Sequence, residues 1–376
     1  MTNKKMTITF YPVGNGDTSL IRNDDGKHLL IDYNNISEAE SDNDDRIFLE
    51  DEINEKLKGV NLDVLMITHA HDDHYRGFSD FFWLNCTEKY QSNERKKVVE
   101  LWVPDAIIWD TGLKGEEELL RREARFRLLD EKKGIIVFGE SDSLKEFIND
   151  SGKATYNEVK HLIKKPGETI SKFSGFDIFI HSPHSWVTEN EENKNNKCIV
   201  IQIDFRIDSG SVTKVIFGSD AESNAWDSIY TSTKNNNNLD KIEFDVFKLS
   251  HHCSYTALNM DEKGDQITEP TKNIKKIFEE HGNDKCKLIA SCNPIPSKED
   301  REDSGPPHYQ AAEYYRKIRD EKGGNFEVTM QQPRGTRNIN PVIIEITKYG
   351  PRFDKLAAMG TIGSGRITQT KSERQG

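Results

Sequence analysis

Three observations predict an α/β fold in which two sheets pack face to face with helices outside them. Strand-like runs come in two batches, one at the start of the chain and one from about residue 176. Stretches with helical spacing follow each batch. The run "LDVLMIT" (62–68) is apolar almost throughout, as expected of a strand buried on both faces.

The first batch is "MTITFYPV", the turn "GNGD", "TSLIRN", the turn "DDGK" and "HLLIDY"; turn residues between apolar runs specify hairpins. After "LDVLMIT", the segment "YRGFSDFFWL" has the spacing of an amphipathic helix. Residues 85–170 are expected to be a mostly helical insertion. Here "EEELLRREARFRLLDEKK", "SDSLKEFINDS" and "YNEVKHLIKK" combine helical spacing with dense charge, and "LWVPDAIIWD" reads as strand and loop. Strands resume with "FDIFIHSP", "KCIVIQIDF" and "VTKVIFGSD", followed by the helix "ESNAWDSIYTS" and the strand "FDVFKLS". A helix near 268–281, the strand "CKLIASCN", a helix from "HYQAAEYYRKI" and the edge strands "FEVTM" and "PVIIEIT" complete the pattern. Residues 1–350 are expected to form one domain containing the 85–170 insertion. The polar, Gly-rich stretch 351–376 is expected to be a flexible tail, and "SKEDREDSGPP" a mobile loop.

The 376 residues suit one or two domains. No run approaches the roughly 18 apolar residues of a membrane span, and "MTNKKMTITFYP" has no apolar signal core. Five scattered cysteines (Cys86, Cys198, Cys253, Cys286, Cys292) form no CxxC pair, which fits reduced thiols in a cytoplasmic protein. A net charge of −12 argues against broad electrostatic binding to nucleic acid. It leaves room for a nucleic-acid enzyme whose metal ions supply positive charge locally.

The chemistry concentrates in "THAHDDHYRG" (68–77), where His69, His71, Asp73 and His74 follow the buried strand. The period of two points His69 and His71 the same way, so both imidazoles can close on one ion. Asp73 and His74 can serve a second. Imidazole with carboxylate suits Zn, Mn or Fe, and two such ions roughly 3.5–4 Å apart make a hydrolytic centre. The bland alternative is a solvated His-rich loop. Asp220 ends "KVIFGSD", where it can bridge two ions or cap the following helix. His251 and His252 end "FDVFKLS"; one can bind metal while the other acts as general acid, and the residues alone do not say which. His184, after Pro183 in "HSPHS", is the preferred further ligand over His181. His308 in "GPPHYQ" can reach substrate or cap a helix, and His28, His161 and His281 have no supporting context. In "VGNGD", Gly14 and Gly16 allow a tight turn and a close backbone approach, and Asp17 or Asp32 can orient a ligand histidine. No P-loop or dinucleotide-binding glycine motif occurs there.

With these elements in place the chain resembles the metallo-β-lactamase superfamily, whose HxHxDH signature stands intact as His69, His71, Asp73 and His74. It is most similar to the hydrolase domain of ComEC-type competence proteins. "VGNGDTSLIRNDDGKHLLIDY" matches their "VGxGD…LLID" start, "FGSDAES" their "TGDAE"-like element and "HHCS" their "HHGS". "SCNP" and "PPHYQAAEYY" loosely match a late asparagine and a His-Pro segment. Order and spacing agree from residue 6 to about 347, apart from 85–170. The resemblance implies an αββα four-layer sandwich with the site along one edge and two divalent ions, Zn or Mn. It also implies hydrolysis of phosphodiesters in nucleic acid or nucleotides. By position, His69, His71, Asp73, His74 and Asp220 become metal ligands, and one of His251 and His252 joins them. Three positions depart from the family pattern: Cys253 and Ser219 stand where glycine is usual, and His184 follows Pro183 directly where the family has Pro-Gly-His.

The expected function is therefore a phosphodiesterase or nuclease using water activated by the metals, in phage defence or nucleotide metabolism. The working assignment places His69, His71, Asp73, His74, His184, Asp220 and His251 on the metals. Asp73 also orients the attacking water, and His252 and His308 serve the leaving oxygen. Two other classes compete: an acyl hydrolase acting on a lactone or thioester, and a non-catalytic subunit docking a protein partner through 85–170.

Overall fold

The computed structural model describes residues 5–36, 44–112, 114–185, 193–207, 210–300, 305–331 and 339–354. The first sheet contains β1 (Met6–Phe10), β2 (Ser19–Arg22), β3 (His28–Ile31), β4 (Leu62–Met66), β5 (Val98–Pro104), β6 (Ile135–Phe138) and β7 (Ile163–Lys164). The second contains β8 (Thr169–Phe173), β9 (Phe176–Ser182), β10 (Val200–Arg206), β11 (Val212–Phe217), β12 (Phe244–Lys248), β13 (Gly282–Ala290) and β14 (Asn325–Val328). The chain then returns to the first sheet with β15 (Val342–Thr347) and β16 (Gly350–Phe353). The spatial orders are β16-β15-β1-β2-β3-β4-β5-β6-β7 and β14-β13-β12-β11-β10-β9-β8.

Alternation along the strands builds the middle of the molecule. Ile8 and Phe10 of β1, Val64 and Met66 of β4 and Trp102 of β5 face Ile178, Ile180, Ile201, Ile203, Val215 and Phe217 across the gap between the sheets. Intervening residues such as Leu65, Leu101 and Val103 face a helical layer made of α1 (Leu49–Leu57), α2 (Phe78–Phe81), α3 (Asp105–Trp109), α4 (Glu116–Arg125), α5 (Asp142–Asp150) and α6 (Tyr156–Val159). On the other side α7 (Ser223–Asn235), α8 (Lys272–Glu279) and α9 (Tyr309–Lys322) cover Ile216, Phe247 and Leu288. The result is the expected αββα sandwich of the metallo-β-lactamase type. Each fully buried Ile, Leu or Phe stabilises the fold by about 1.5–3 kcal/mol. A core this large holds without a structural metal, so a metal cluster here has to be explained by chemistry.

The structure alters three expectations. The 85–170 region is not only helical: β5, β6 and β7 extend the first sheet in parallel from β4. The short run "IIVF", set between Gly134 and Gly139, is a strand rather than helix because both ends turn. "YRGFSDFFWL" contains only one turn of helix, after which Phe82 bridges to Lys96. The first residues of the expected tail are strand, since β16 pairs with β15 through Phe353 opposite Ile344; residues 355–376, and 301–304 of the expected loop, lie outside the described residues. Among the described residues no helix is long and apolar enough to cross a membrane.

Strands β3 to β7 run parallel, as do β11 to β14. Parallel strands deliver their carboxyl ends to one edge, and backbone contacts stitch the two sheets together there. Ile199 N–H, leading into β10, donates to the Thr68 carbonyl at 2.9 Å, while within the loops of the first sheet Asp17 N–H donates to the Asp73 carbonyl at 3.1 Å.

Candidate metal centre

Four loops at this edge bring the predicted residues together. The first leaves β4. Asp32, just past β3 with φ 58°, accepts hydrogen bonds from Thr68 N–H at 2.7 Å and Thr68 Oγ1 at 2.8 Å. It also accepts from His74 Nδ1 at 2.8 Å, which fixes the tautomer and aims His74 Nε2 at the centre. There Nε2 stands 3.3 Å from Asp220 Oδ1 and 3.8 Å from Asp73 Oδ2. His71 caps the single turn that carries Asp73 and His74, and His69 Nε2 lies 3.1 Å from His71 Nδ1 and 3.8 Å from Asp220 Oδ2.

The second loop leaves β11 and carries Asp220. A side chain at Gly218 would place its Cβ 2.3 Å from Ser250 Oγ, so only glycine lets this loop close on the next. Ser219 has φ 45°, and its hydroxyl donates to Thr68 Oγ1 at 2.7 Å, tying the two sheets. The third loop leaves β12, with His251, His252 and Cys253 all at positive φ. Cys253 (φ 63°) and Ser219 thus keep the left-handed backbone that glycine would adopt at those positions. His252 Nδ1 donates to the Ser291 carbonyl at 2.9 Å. Its Nε2 therefore faces inward, 2.9 Å from Asp73 Oδ2 and 3.5 Å from Asp220 Oδ2. The fourth loop is "VGNGD", where a Cβ on Gly16 would meet Asn34 Nδ2 at 2.0 Å and the Asp73 carbonyl at 2.9 Å; this is the close backbone approach expected of that glycine.

Two groups of donor atoms result, each within 4.8 Å: Asp73, His74, Asp220 and His252, and beside it His69, His71 and Asp220. Asp220 belongs to both. His74 Nε2, His252 Nε2 and Asp220 Oδ1 are buried and lack hydrogen-bond geometry to any partner despite these short separations. Donors that converge without bonding one another fit a divalent cation placed between them, and imidazole with carboxylate is the donor set that Zn or Mn takes. The carboxylates and imidazoles of the cluster act strongly on one another. Burial pushes His252 down, but Asp220 and Asp73 outweigh it and lift its pKa to about 10. His74 is likewise raised against burial by Asp220 and Asp32. In turn His252 and His74 hold Asp220 well below the usual carboxylate range although its burial opposes this. Burial keeps His69 and His71 low, in the neutral form that binds metal.

Three residues of the working assignment fall outside the donor groups. Of the two adjacent histidines it is His252 that enters a group, whereas His251 Nε2 is 4.0 Å from Asp220 Oδ2. His251 Nδ1 bonds Thr256 Oγ1 at 3.0 Å and lies 3.6 Å from Glu222 Oε1, and the side chain is 19% exposed on the open side. His184 joins neither group. The outward face of β9 carries it with His181 to a cavity of about 300 Å³ lined by Gly167, Ser232, Thr233 and Asn236, against the end of α7. His308 braces the third loop from behind, its N–H donating to the Cys253 carbonyl at 3.0 Å and its ring edge-on to Tyr255 at 4.9 Å.

Other residues shape the site. Lys248, 2% exposed, pairs with Asp17 directly behind His74 and His252. Its signal was a lysine at the end of the strand run "FDVFK". Glu222 accepts from Asn193 Nδ2 at 2.6 Å, holding the 193–197 turn beside His251. From the 85–170 region, Glu116 accepts from Gly77 N–H at 2.9 Å and Ser79 N–H at 2.6 Å. Its neighbour Glu117 binds Lys194 Nζ at 2.5 Å, and that ammonium also donates to the Ala70 carbonyl at 3.1 Å. The region thus buttresses the metal loop.

No protein-family profile matches the chain, and no curated protein sequence does. Among solved structures, remote similarities are found. A long form RNase Z from yeast is 13% identical with a TM-score of 0.38, covering 85% of this chain; the chain spans 44% of that protein's length. Zn-bound PqqB from Methylobacterium extorquens is 9% identical (TM-score 0.35; 85% of this chain, 97% of that one). A metallo-β-lactamase from Hirschia baltica is 14% identical (TM-score 0.24; 61% and 80%).

Proposed function

We propose that the chain is a metal-dependent hydrolase of phosphodiesters in nucleic acid or nucleotides. The observation carrying this reading is the pair of donor groups sharing buried Asp220, with His74 Nε2 and His252 Nε2 lacking a hydrogen-bond partner. His69, His71 and Asp220 would hold one ion, and Asp73, His74, Asp220 and His252 the other. When bound, such a pair polarises a phosphoryl oxygen and makes water a nucleophile near neutral pH. The chain's residues do the rest. Asp32 and the Ser291 carbonyl fix the tautomers of His74 and His252. Asp73, on the more open side of its group, orients the attacking water. His251, its Nδ1 anchored by Thr256 and its side chain partly exposed, hands a proton to the leaving oxygen. The choice of phosphodiesters over a lactone or thioester rests on the likeness of "FGSDAES" and "HHCS" to the motifs of ComEC-type hydrolase domains. A role in phage defence or nucleotide turnover is compatible with that substrate class.

The test pairs elemental analysis of the purified protein with a hydrolysis panel of bis-p-nitrophenyl phosphate, single-stranded DNA, RNA, cyclic nucleotides and a lactone. Bound Zn or Mn with phosphodiester cleavage is expected. Preferential lactone cleavage would replace the substrate class, and metal-free protein inert on the whole panel would overturn the enzymatic reading.

A further inference from the structure

Lys287 lies on β13 between Val246 of β12 and Asn325 of β14. Cys286 and Leu288 face the helical layer and Ile289 faces the opposite sheet, so alternation turns Lys287 toward the gap between the sheets. The residue is 8% exposed, and its ammonium stands 5.6 Å from the centre of the Phe353 ring. The acid acting on it, Asp245, spends its carboxylate on Lys214 N–H at 2.8 Å and Asn283 Nδ2 at 2.9 Å. Burial pushes the pKa of Lys287 below the usual lysine range.

The lysine opens on a cavity of about 620 Å³ walled by both sheets. Lys5 and Arg352 flank it, and both lean on one carboxylate: Glu345 accepts from Lys5 Nζ at 2.5 Å and from Arg352 Nε at 2.8 Å. Lys5, Lys287 and Arg352 line the recess together with Glu345 and Asp354, which leaves it a small positive excess in a chain of net charge −12. Lysine stems do lie along apolar surface with the ammonium in water. Here the ammonium instead sits against a ring inside the sandwich, where a charge without a counter-ion costs free energy.

We propose that this cavity binds a phosphate-bearing anion, with Lys287 meeting the phosphoryl oxygens at its floor and Lys5 and Arg352 reaching them from its mouth. Two ammoniums and a forked guanidinium suit a multiply charged tetrahedral group better than a single carboxylate. The site is separate from the metal centre, since Lys287 precedes Ser291 by four residues, about 13 Å along a strand. It does not depend on the catalytic reading.

The test uses the full chain, stripped of metal and freed of chelator, titrated with sodium pyrophosphate against chloride of matched ionic strength. At saturation the Tm is expected to rise by about 2–4 °C. Lys287→Met should show no rise, and in anion-free buffer it should melt at or above the wild-type Tm because an uncompensated buried charge is gone. A Tm that does not respond in the wild type, or that responds equally in Lys287→Met, would overturn the proposal. A second readout needs no variant. Pyrophosphate should protect Lys287 from acetic anhydride, as read by peptide mass spectrometry; equal labelling with and without it counts against the site.

Discussion

The buried pair between Lys248 and Asp17 gives the sharpest stability prediction. Lys248 is 2% exposed and Asp17 3%, so neither charge reaches water. Lys248→Met leaves the Asp17 carboxylate stranded, and Asp17→Leu strands the ammonium. Breaking a buried pair by removing one partner costs about 3–5 kcal/mol. That is a large share of the roughly 5–15 kcal/mol that holds a typical domain. Replacing both partners with apolar groups removes both desolvation costs, so the double variant should lose only about 1 kcal/mol or less. Urea unfolding of the four proteins, with chelator present so that bound metal adds nothing, closes the cycle. A coupling of about 3 kcal/mol or more is expected. Losses that add within about 0.5 kcal/mol would refute the reasoning, because independent sites behave that way. The site should register the change too. Asp17 lies 3.9 Å from His74 Nδ1 and 3.8 Å from His252 Nδ1, so a carboxylate without its lysine pulls on both imidazoles.

Three further outcomes follow from the same geometry. Asp105 is fully buried, and burial raises its pKa to about 6. Its folded value exceeds an unfolded value of about 3.9, so stability is full below about pH 4 and is lost as pH rises through about 6, by about 3 kcal/mol at pH 8. Asp105→Asn keeps an acceptor for Ser141 N–H and should be more stable than wild type at pH 8 but equal to it near pH 4; a variant less stable at pH 8 would contradict this. Asp32→Asn removes the charge that orients His74 and should weaken Zn binding about 10–100-fold by competitive chelator titration. Asp72 is exposed and, among the described residues, pairs with Arg76, whereas Asp73 faces His252. Asp72→Ala should therefore keep phosphodiesterase activity and shift stability by under about 1 kcal/mol, while Asp73→Ala should lose the activity. Equal activity in the two variants would remove Asp73 from the site.

Much of this was legible in the sequence because the period of two and the strand-end motifs are local signals. "LDVLMIT" declared a doubly buried strand, and three loops ending in His or Asp declared where chemistry gathers. The close approach at Gly16 and the orienting role of Asp32 also follow from local pattern. What stayed hidden depends on contacts distant in sequence. Nothing near His251 or His252 says which nitrogen points inward; the Ser291 carbonyl decides it from 39 residues away. His184 follows a strand as a ligand would, one residue short of the family's Pro-Gly-His, and β9 turns that end of the chain toward α7. Helix α1 went unread because "LEDEINEKL" offers only Leu49, Ile53 and Leu57 to the core among dense acids. In 85–170 the short run "IIVF" was outweighed by the charge on either side, and a strand held in a parallel sheet has no hairpin partner nearby to announce it.

The parallel halves of the two sheets explain why so polar a surface can hold so buried a site. Parallel order sends the loops after β3, β4, β11 and β12 to one edge, where residues distant in sequence meet with no loop crossing the core. One side chain binds that convergence. Thr68 donates to Asp32 in the first sheet and accepts from Ser219 in the second, and its Oγ1 lies 3.3 Å from the Nδ1 atoms of both His69 and His74. A hydroxyl can donate once and accept twice, so a single threonine can serve both sheets where valine, of the same shape, could serve neither. The two donor groups share Asp220 because Ser219, one residue before it, is fixed to the residue one before His69. The spacing between the groups is thus set by a hydrogen bond between the sheets rather than by either loop alone.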